Sequence, residues 1–115
     1  MLGSIFENVK ITGMACSVPD NIVYTEEYAN IFGEKEVQRF IKTTGIKSRY
    51  LAKEKQCASD LCYVSAKKLM EHKGYTPNDI DALIYITQSP DYVGPATAFV
   101  LQKRLELNKN CVVLI

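Results

Sequence analysis

One short segment restricts the fold of this chain more than any other feature. Residues 82–87 are apolar on both faces, which is typical of a strand in the middle of a sheet that is covered on both sides. Parallel strands of this kind are joined by helical crossovers. The segment therefore predicts a layered α/β domain with parallel central strands.

The flanking segments supply the rest of this architecture. Ser59–Lys73 repeats apolar side chains at helical spacing and is followed by Gly74, which predicts a helix with a glycine stop. Thr76–Asp79 predicts a capped turn with proline at the first helical position. Pro95 begins another predicted helix, and Cys111–Ile115 reads as the next interior strand.

The N-terminal half gives weaker signals. We expect a strand over residues 8–18, a turn at 19–21, and a helix that begins near Thr25, whose hydroxyl would cap it, and ends at Gly33. A second short helix should carry Val37, Phe40 and Ile41 on one face. Residues 43–51 favour an extended or hairpin segment.

Composition sets the class of protein. The 115 residues are 47% hydrophobic and 23% charged, which is ordinary for one globular domain. A net charge of +1 provides no concentrated basic face for nucleic acid or a membrane surface. The chain shows neither a signal peptide nor an apolar run of membrane-spanning length, so cytoplasmic residence is the default expectation.

Cysteine and histidine give no catalytic constellation in this chain. The four cysteines lack CxxC spacing and a nearby histidine, so we expect no metal site. Cys111 opens a β-branched run, which favours a structural role over a nucleophilic one. His72 lies among lysines at a helix end and reads as a solvated residue.

Four ordered motifs carry a family resemblance that covers essentially the whole chain. DIDALIYITQSPD at residues 79–91 leads into PATA at 95–98 and then Gln102. The other three are ITG at 11–13 leading to Pro19, TTGIKSR at 43–49, and a helix start at Ser59. Together they resemble the ketoacyl synthase III family of thiolase-fold condensing enzymes.

This resemblance implies a thiolase-like fold. Residues 1–115 would be an incomplete N-terminal domain, part of the first half of a layered αβαβα architecture with a mainly parallel central sheet. The apolar C-terminal run supports a partial domain. By the resemblance, the nucleophilic cysteine lies just past Ile115 and the catalytic His and Asn come later. We therefore expect this stretch by itself to be inactive, with no catalytic residue of its own.

The resemblance also implies a reaction and its partners. The parent enzyme would condense an acyl thioester with a decarboxylating malonyl thioester on acyl carrier protein, as in fatty acid biosynthesis, and would work as a homodimer. A secondary-metabolite acyltransferase or a hydroxymethylglutaryl-type synthase is the alternative within this fold. A different class of alternative is a non-catalytic domain that dimerises or binds the carrier protein.

Coenzyme A contact is implied for residues 35–49. Arg39 stands where the family has a Trp that stacks on adenine, Thr43 stands where it has an Arg, and Lys47 adds charge nearby. An Arg side chain can stack on a base or bind a phosphate. The primer could be an acyl-coenzyme A or an acyl group on carrier protein, and no permanently bound cofactor is expected.

The loop Gln88–Gly94 follows the central strand directly. Ligands of parallel sheets gather where strands end, so this loop is the candidate for substrate contact. By the resemblance, Thr87 and Gln88 approach the acyl pocket and the dimer contact. By the resemblance, Gly94 stands where some relatives place a bulky side chain that reaches the pocket of the partner subunit and limits acyl length. The alternative is that Gly94 only frees the backbone before Pro95.

Overall fold

The computed structural model describes residue 5 and residues 7–114. Two small sheets organise the chain. Strand β1 (Asn21–Tyr24) pairs antiparallel with β2 (Ser48–Leu51), and β3 (Ala82–Ile84) pairs parallel with β4 (Val112–Leu114). The parallel pair confirms the mainly parallel central sheet that the apolar segments predict, whereas the antiparallel pair forms a separate unit.

The N-terminal unit consists of β1, β2 and the helical segment between them. A 3₁₀ turn at Thr25–Tyr28 leads into α1 (Ala29–Phe32), Gly33 follows with φ at +84°, and α2 (Glu34–Thr44) completes the unit. Both predicted helices are confirmed, but the predicted cap is wrong. The Thr25 hydroxyl donates to the Ile46 carbonyl at 2.9 Å, while the Glu27 carboxylate accepts the Tyr24 N–H at 2.8 Å.

Helix α3 (Ala58–Lys73) follows the prediction closely. The Asp60 carboxylate accepts the Cys57 N–H at 2.9 Å, which satisfies one of the free amides of the first turn. Gly74 ends the helix with φ at +69°, a conformation that glycine adopts at low cost. The capped turn after it is also confirmed, since Asp79 accepts both the Thr76 N–H and hydroxyl.

Helix α4 (Thr97–Arg104) connects β3 to β4 and covers one side of them. Ala98 and Leu101 are buried against Tyr85 of the segment that follows β3. A second buried cluster contains Leu105, Leu107 and Cys111, and side chains of α3 pack against both clusters. This core fixes the position of the strand ends relative to α3 and α4.

The structure differs from two of the predicted strands. Residues 8–18 form no strand, because no other described strand pairs with their backbone. Ladder pairing of the central strand covers Ala82–Ile84 instead of 82–87, and Ile84 and Ile86 are 62% and 88% exposed because the described helices cover only one sheet face. The turn predicted at 19–21 is present as a bend at Asp20, and β1 begins directly after it at Asn21.

Candidate functional site

The loop of residues 88–94 lies where the paired region of β3 ends, as the sequence predicts. The Tyr85 N–H donates to the Leu114 carbonyl at 3.0 Å, which extends the pairing of β3 with β4 by one bond. Beyond it, the Thr87 hydroxyl accepts the Ser89 N–H at 3.0 Å and turns the chain out of the sheet. Loop 88–94 therefore begins at the carboxyl ends of two parallel strands.

Asp91 attaches this loop to two helices. Its carboxylate oxygen Oδ2 accepts a hydrogen bond from the Ser59 hydroxyl in the first turn of α3. Its backbone N–H donates to Thr97 Oγ1, at the first residue of α4, at 3.1 Å. Ser59 and Thr97 are each only 1% exposed, so both partners are held by the core. We call these three residues the Asp91 anchor.

Arg104, the last residue of α4, adds further contacts to the Ser59 end of the anchor. Its guanidinium Nη1 donates to Ser59 Oγ at 3.3 Å and to Asp60 Oδ1 at 2.8 Å, and it lies 4.6 Å above the centre of the Tyr63 ring. The pKa of Asp60 is lowered, first by the Cys57 N–H that it accepts and second by Arg104. One arginine thus joins the charged start of α3 to the end of α4.

Two buried polar atoms near the loop have no hydrogen-bond partner among the described residues, namely Tyr85 Oη and Asp91 Oδ1. The Tyr85 side chain packs in the core, and its burial raises the pKa of the phenol.

Gly94 ends the loop in an open environment. Apart from its chain neighbours, no described atom lies within 4 Å of the point where a Cβ at position 94 would stand. Its φ lies outside the left-handed region, although the bond to Pro95 is cis. The local backbone therefore does not require glycine at this position.

The three residues implied in coenzyme A contact lie on the N-terminal unit. Arg39 and Thr43 are four residues apart on α2, which puts them on one helix face, and Lys47 lies between α2 and β2. All three are exposed. They therefore belong to a different part of the chain from Thr87, Gln88 and Gly94, and the candidate site has two separate portions.

An apolar groove of about 590 Å³ adjoins α2 on this unit. The Arg49 guanidinium lies 4.8 Å above the centre of the Tyr28 ring at its wall. Arg49 is the last residue of the TTGIKSR motif, but the sequence predicts no role for its side chain. The groove is lined by apolar and aromatic side chains together with three polar or charged ones: Tyr28, Phe32, Val37, Phe40 and Ile46, with Thr25, Glu36 and Arg49.

The Asp91 anchor was also missed from the sequence. Ser59 and Asp91 both stand inside recognised motifs, but they are 32 residues apart and no spacing rule links them. The available signal was the choice of two small hydroxyl residues, Ser59 and Thr97, at the starts of two apolar helices.

Two general properties apply to the described part of the chain. No three or more His, Cys, Asp or Glu side chains of residues 5 and 7–114 come together in a way that could hold a metal ion. Within the same residues, no helix combines the length and the hydrophobicity that crossing a membrane requires.

Comparison with known proteins identifies relatives of this chain. No family model matches it. The putative 3-oxoacyl-[acyl-carrier-protein] synthase 3 of Campylobacter jejuni is 36% identical over 110 residues, which are 93% of this chain and 31% of that protein. The β-ketoacyl-[acyl-carrier-protein] synthase III of Staphylococcus haemolyticus is 37% identical over 102 residues, 89% of this chain and 32% of that protein.

The chain is thus homologous to part of the ketoacyl synthase III proteins. It spans about a third of the length of these relatives. Among solved structures, 3-oxoacyl-(acyl-carrier protein) synthase from Burkholderia xenovorans superposes with a TM-score of 0.83 at 35% identity, covering 89% of this chain and 30% of that one. Xanthomonas campestris OleA, at 24% identity and a TM-score of 0.82 over 95% of this chain and 33% of its own, agrees in fold alone.

These superpositions confirm the predicted thiolase-like fold. They also confirm the family that the four sequence motifs indicated. Loop 88–94 and the face of α2 that carries Arg39 are therefore parts of a synthase III-type structure.

Proposed function

We propose that the protein that contains this chain is a β-ketoacyl-[acyl-carrier-protein] synthase III. It would catalyse the decarboxylative Claisen condensation of an acyl thioester with malonyl-acyl carrier protein in fatty acid biosynthesis. The observation that carries this proposal is the 36% identity to a synthase III-type relative over 93% of the chain.

Loop 88–94 would contribute one wall of the acyl pocket. Thr87 and Gln88 supply small polar groups at the end of β3, and Gly94 leaves open space beyond them. An acyl chain that is longer or more branched than acetyl can occupy such a space without a steric conflict at position 94. The loop would also approach the second subunit of a homodimer.

The outer face of α2 would contribute to coenzyme A binding. Arg39 and Lys47 offer two exposed positive charges, and the Thr43 hydroxyl offers a hydrogen bond on the same helix face as Arg39. Coenzyme A carries several phosphate groups, which guanidinium and ammonium groups bind. An Arg39 guanidinium can in addition stack on the adenine ring.

Acyl carrier protein, as donor of the malonyl group, would be the macromolecular partner. An acyl-coenzyme A or an acyl-carrier protein would deliver the primer. We place the protein in the cytoplasm, with no permanently bound cofactor.

A turnover assay on the full natural gene product tests this proposal. The protein is incubated with malonyl-acyl carrier protein and with acetyl-, isobutyryl- or octanoyl-coenzyme A, and mass spectrometry detects the 3-oxoacyl product on the carrier protein. A second series presents the same acyl groups on carrier protein. We expect a 3-oxoacyl product and release of carbon dioxide with at least one primer.

Absence of 3-oxoacyl product with every primer, while both thioesters remain intact, would contradict the proposal. A 3-hydroxy-3-methylglutaryl product, formed only when acetyl-coenzyme A is supplied together with acetoacetyl-coenzyme A, would instead indicate a hydroxymethylglutaryl-type reaction. Tight carrier-protein binding without turnover would indicate the non-catalytic alternative.

A further inference from the structure

We propose that Asp91 is a positioning residue that fixes loop 88–94 against α3 and α4 and thereby controls which acyl lengths the protein accepts. The mechanical part of this inference rests on the contacts of the described residues. The selectivity part rests on the proposed function.

The contacts of Asp91 restrain it from two directions. Its side chain bonds to Ser59 on α3 and its backbone N–H bonds to Thr97 on α4. Because these bonds leave from opposite parts of one residue, they fix both the position and the orientation of the peptide unit at the middle of the loop. Ser59 and Thr97 are fully buried, so neither can follow the loop if it moves.

A chain of hydrogen bonds strengthens the side-chain contact. The Ser59 hydroxyl accepts a bond from Arg104 at 3.3 Å and donates its own hydrogen to Asp91. A hydroxyl that accepts from a cation becomes a better donor, so the contact with Arg104 strengthens the hydrogen bond from Ser59 to Asp91. Asp60 and Tyr63 hold Arg104 in place.

Selectivity follows from where the loop leads. Gly94 lies three positions after Asp91, at the end of the loop. If the anchor is loosened, the chain between them can shift, and the depth available to an acyl group changes. Short acyl groups that do not reach position 94 should be affected less than long ones.

Four substitutions in the full natural protein test the proposal. Ser59→Ala removes the donor to Asp91, and Asp91→Asn keeps the shape and an acceptor but removes the charge. Thr97→Val removes the acceptor for the Asp91 N–H with little change of volume, and Thr97→Ser is its matched control because it keeps the hydroxyl. Asp79→Ala is a stability control, since it removes a cap that lies outside the loop.

The first measurement is amide hydrogen exchange of residues 88–94. We expect exchange in this segment to rise about tenfold in Ser59→Ala and Thr97→Val, less in Asp91→Asn, and not in Thr97→Ser or Asp79→Ala. Exchange that stays at the wild-type rate in Ser59→Ala and Thr97→Val would overturn the anchor. This readout needs no turnover.

The second measurement is the ratio of kcat/KM for octanoyl- and acetyl-coenzyme A. We expect this ratio to change at least about threefold in Ser59→Ala and Thr97→Val and to stay constant in both controls. A faster-exchanging loop with an unchanged ratio would overturn the control of acyl length. Lack of all turnover in the wild type would contradict the proposed function, while the exchange result would still decide whether Asp91 holds the loop.

Discussion

The Arg49 guanidinium of β2 lies 4.8 Å above the Tyr28 ring, which precedes α1. This contact joins the second strand of the N-terminal unit to the helical segment that the same unit encloses. Both residues line the apolar groove beside α2. The pair therefore fixes one wall of the groove, and its strength can be measured.

Replacement of Arg49 by Lys should weaken the N-terminal unit slightly. Lysine keeps the positive charge but loses the planar group that stacks on the ring. We expect a loss of about 0.5–1 kcal/mol in the free energy of unfolding, the usual range for an exposed cation–π pair. Hydrogen exchange of the β1–β2 amides measures this locally. Tyr28→Phe keeps the ring and serves as the control, and an equal loss in Tyr28→Phe would argue against the stacking interpretation.

The start of α3 should be sensitive to acid. The pKa of Asp60 lies below the usual value of about 3.9, because the carboxylate accepts the Cys57 N–H and pairs with Arg104. A lowered carboxyl pKa contributes stability that is present above the unfolded pKa and is lost as pH falls through the folded pKa. We therefore expect the stability advantage of the natural protein over Asp60→Asn to shrink below about pH 4.

Unfolding midpoints of the natural protein and of Asp60→Asn, measured from about pH 7 down to about pH 3, check this expectation. Two curves that stay parallel over this range would show that Asp60 has no part in the acid response. Asp20 and Asp79 also have lowered pKa values, through Lys53 and Thr76 respectively, so acid should retain some effect in Asp60→Asn.

Local signals predicted the helices well. α3 carries its own start and stop, in Asp60 and Gly74, so its bounds require no knowledge of the rest of the fold. α4 was predicted to start at Pro95 and begins at Thr97, a difference that is common at helix ends.

Strands were predicted less well, because pairing decides where a strand exists. β1 depends on β2, which lies about 25 residues later in the chain, and a local turn signal at 19–21 obscured it. Residues 8–18 have strand composition without a described partner. The central strand was placed correctly, but its ladder covers Ala82–Ile84 instead of the whole apolar run of residues 82–87.

In the candidate site, too, local features were predicted and contacts between distant parts of the sequence were not. Loop 88–94 was predicted because a polar, proline-containing segment follows an apolar strand, which is a local pattern. The hydrogen bonds that hold the loop link Asp91 to Ser59 and Ser59 to Arg104 across 32 and 45 residues. Side-chain partners at such separations follow from helix packing, which a single sequence does not specify.

Gly94→Phe should shorten the acyl groups that the full protein accepts. The backbone at position 94 does not have the positive φ that favours glycine, so we expect the midpoint of thermal unfolding to stay close to that of the natural protein. The aromatic ring would instead fill space that a long acyl chain needs. We expect kcat/KM for octanoyl-coenzyme A to fall at least about tenfold, with acetyl-coenzyme A nearly unaffected.

Gly94→Ala is the control for this substitution, because it adds a Cβ without filling the space. Equal losses for short and long primers in Gly94→Phe would mean that position 94 acts on catalysis in general. A large loss of thermal stability in Gly94→Ala would support the alternative that glycine serves the backbone before Pro95.

Thr43→Arg should improve the use of coenzyme A thioesters selectively. Arg39 lies on the same face of α2. A second guanidinium at position 43 would therefore add hydrogen-bond donors for a phosphate group next to those of Arg39. We expect KM for acyl-coenzyme A to fall about threefold to tenfold at low salt, because one added charge-assisted hydrogen bond to a phosphate contributes about 1 kcal/mol at an exposed position. The gain should shrink as salt is raised.

KM for the same acyl group on carrier protein is the internal control, since a general electrostatic effect on anionic partners would lower both values. Arg39→Glu should act in the opposite direction, and Lys68→Glu on α3 controls for the change in net charge. If Arg39→Glu and Thr43→Arg both leave KM for acyl-coenzyme A unchanged, the outer face of α2 does not bind coenzyme A, and the apolar groove beside Arg49 becomes the next position to test.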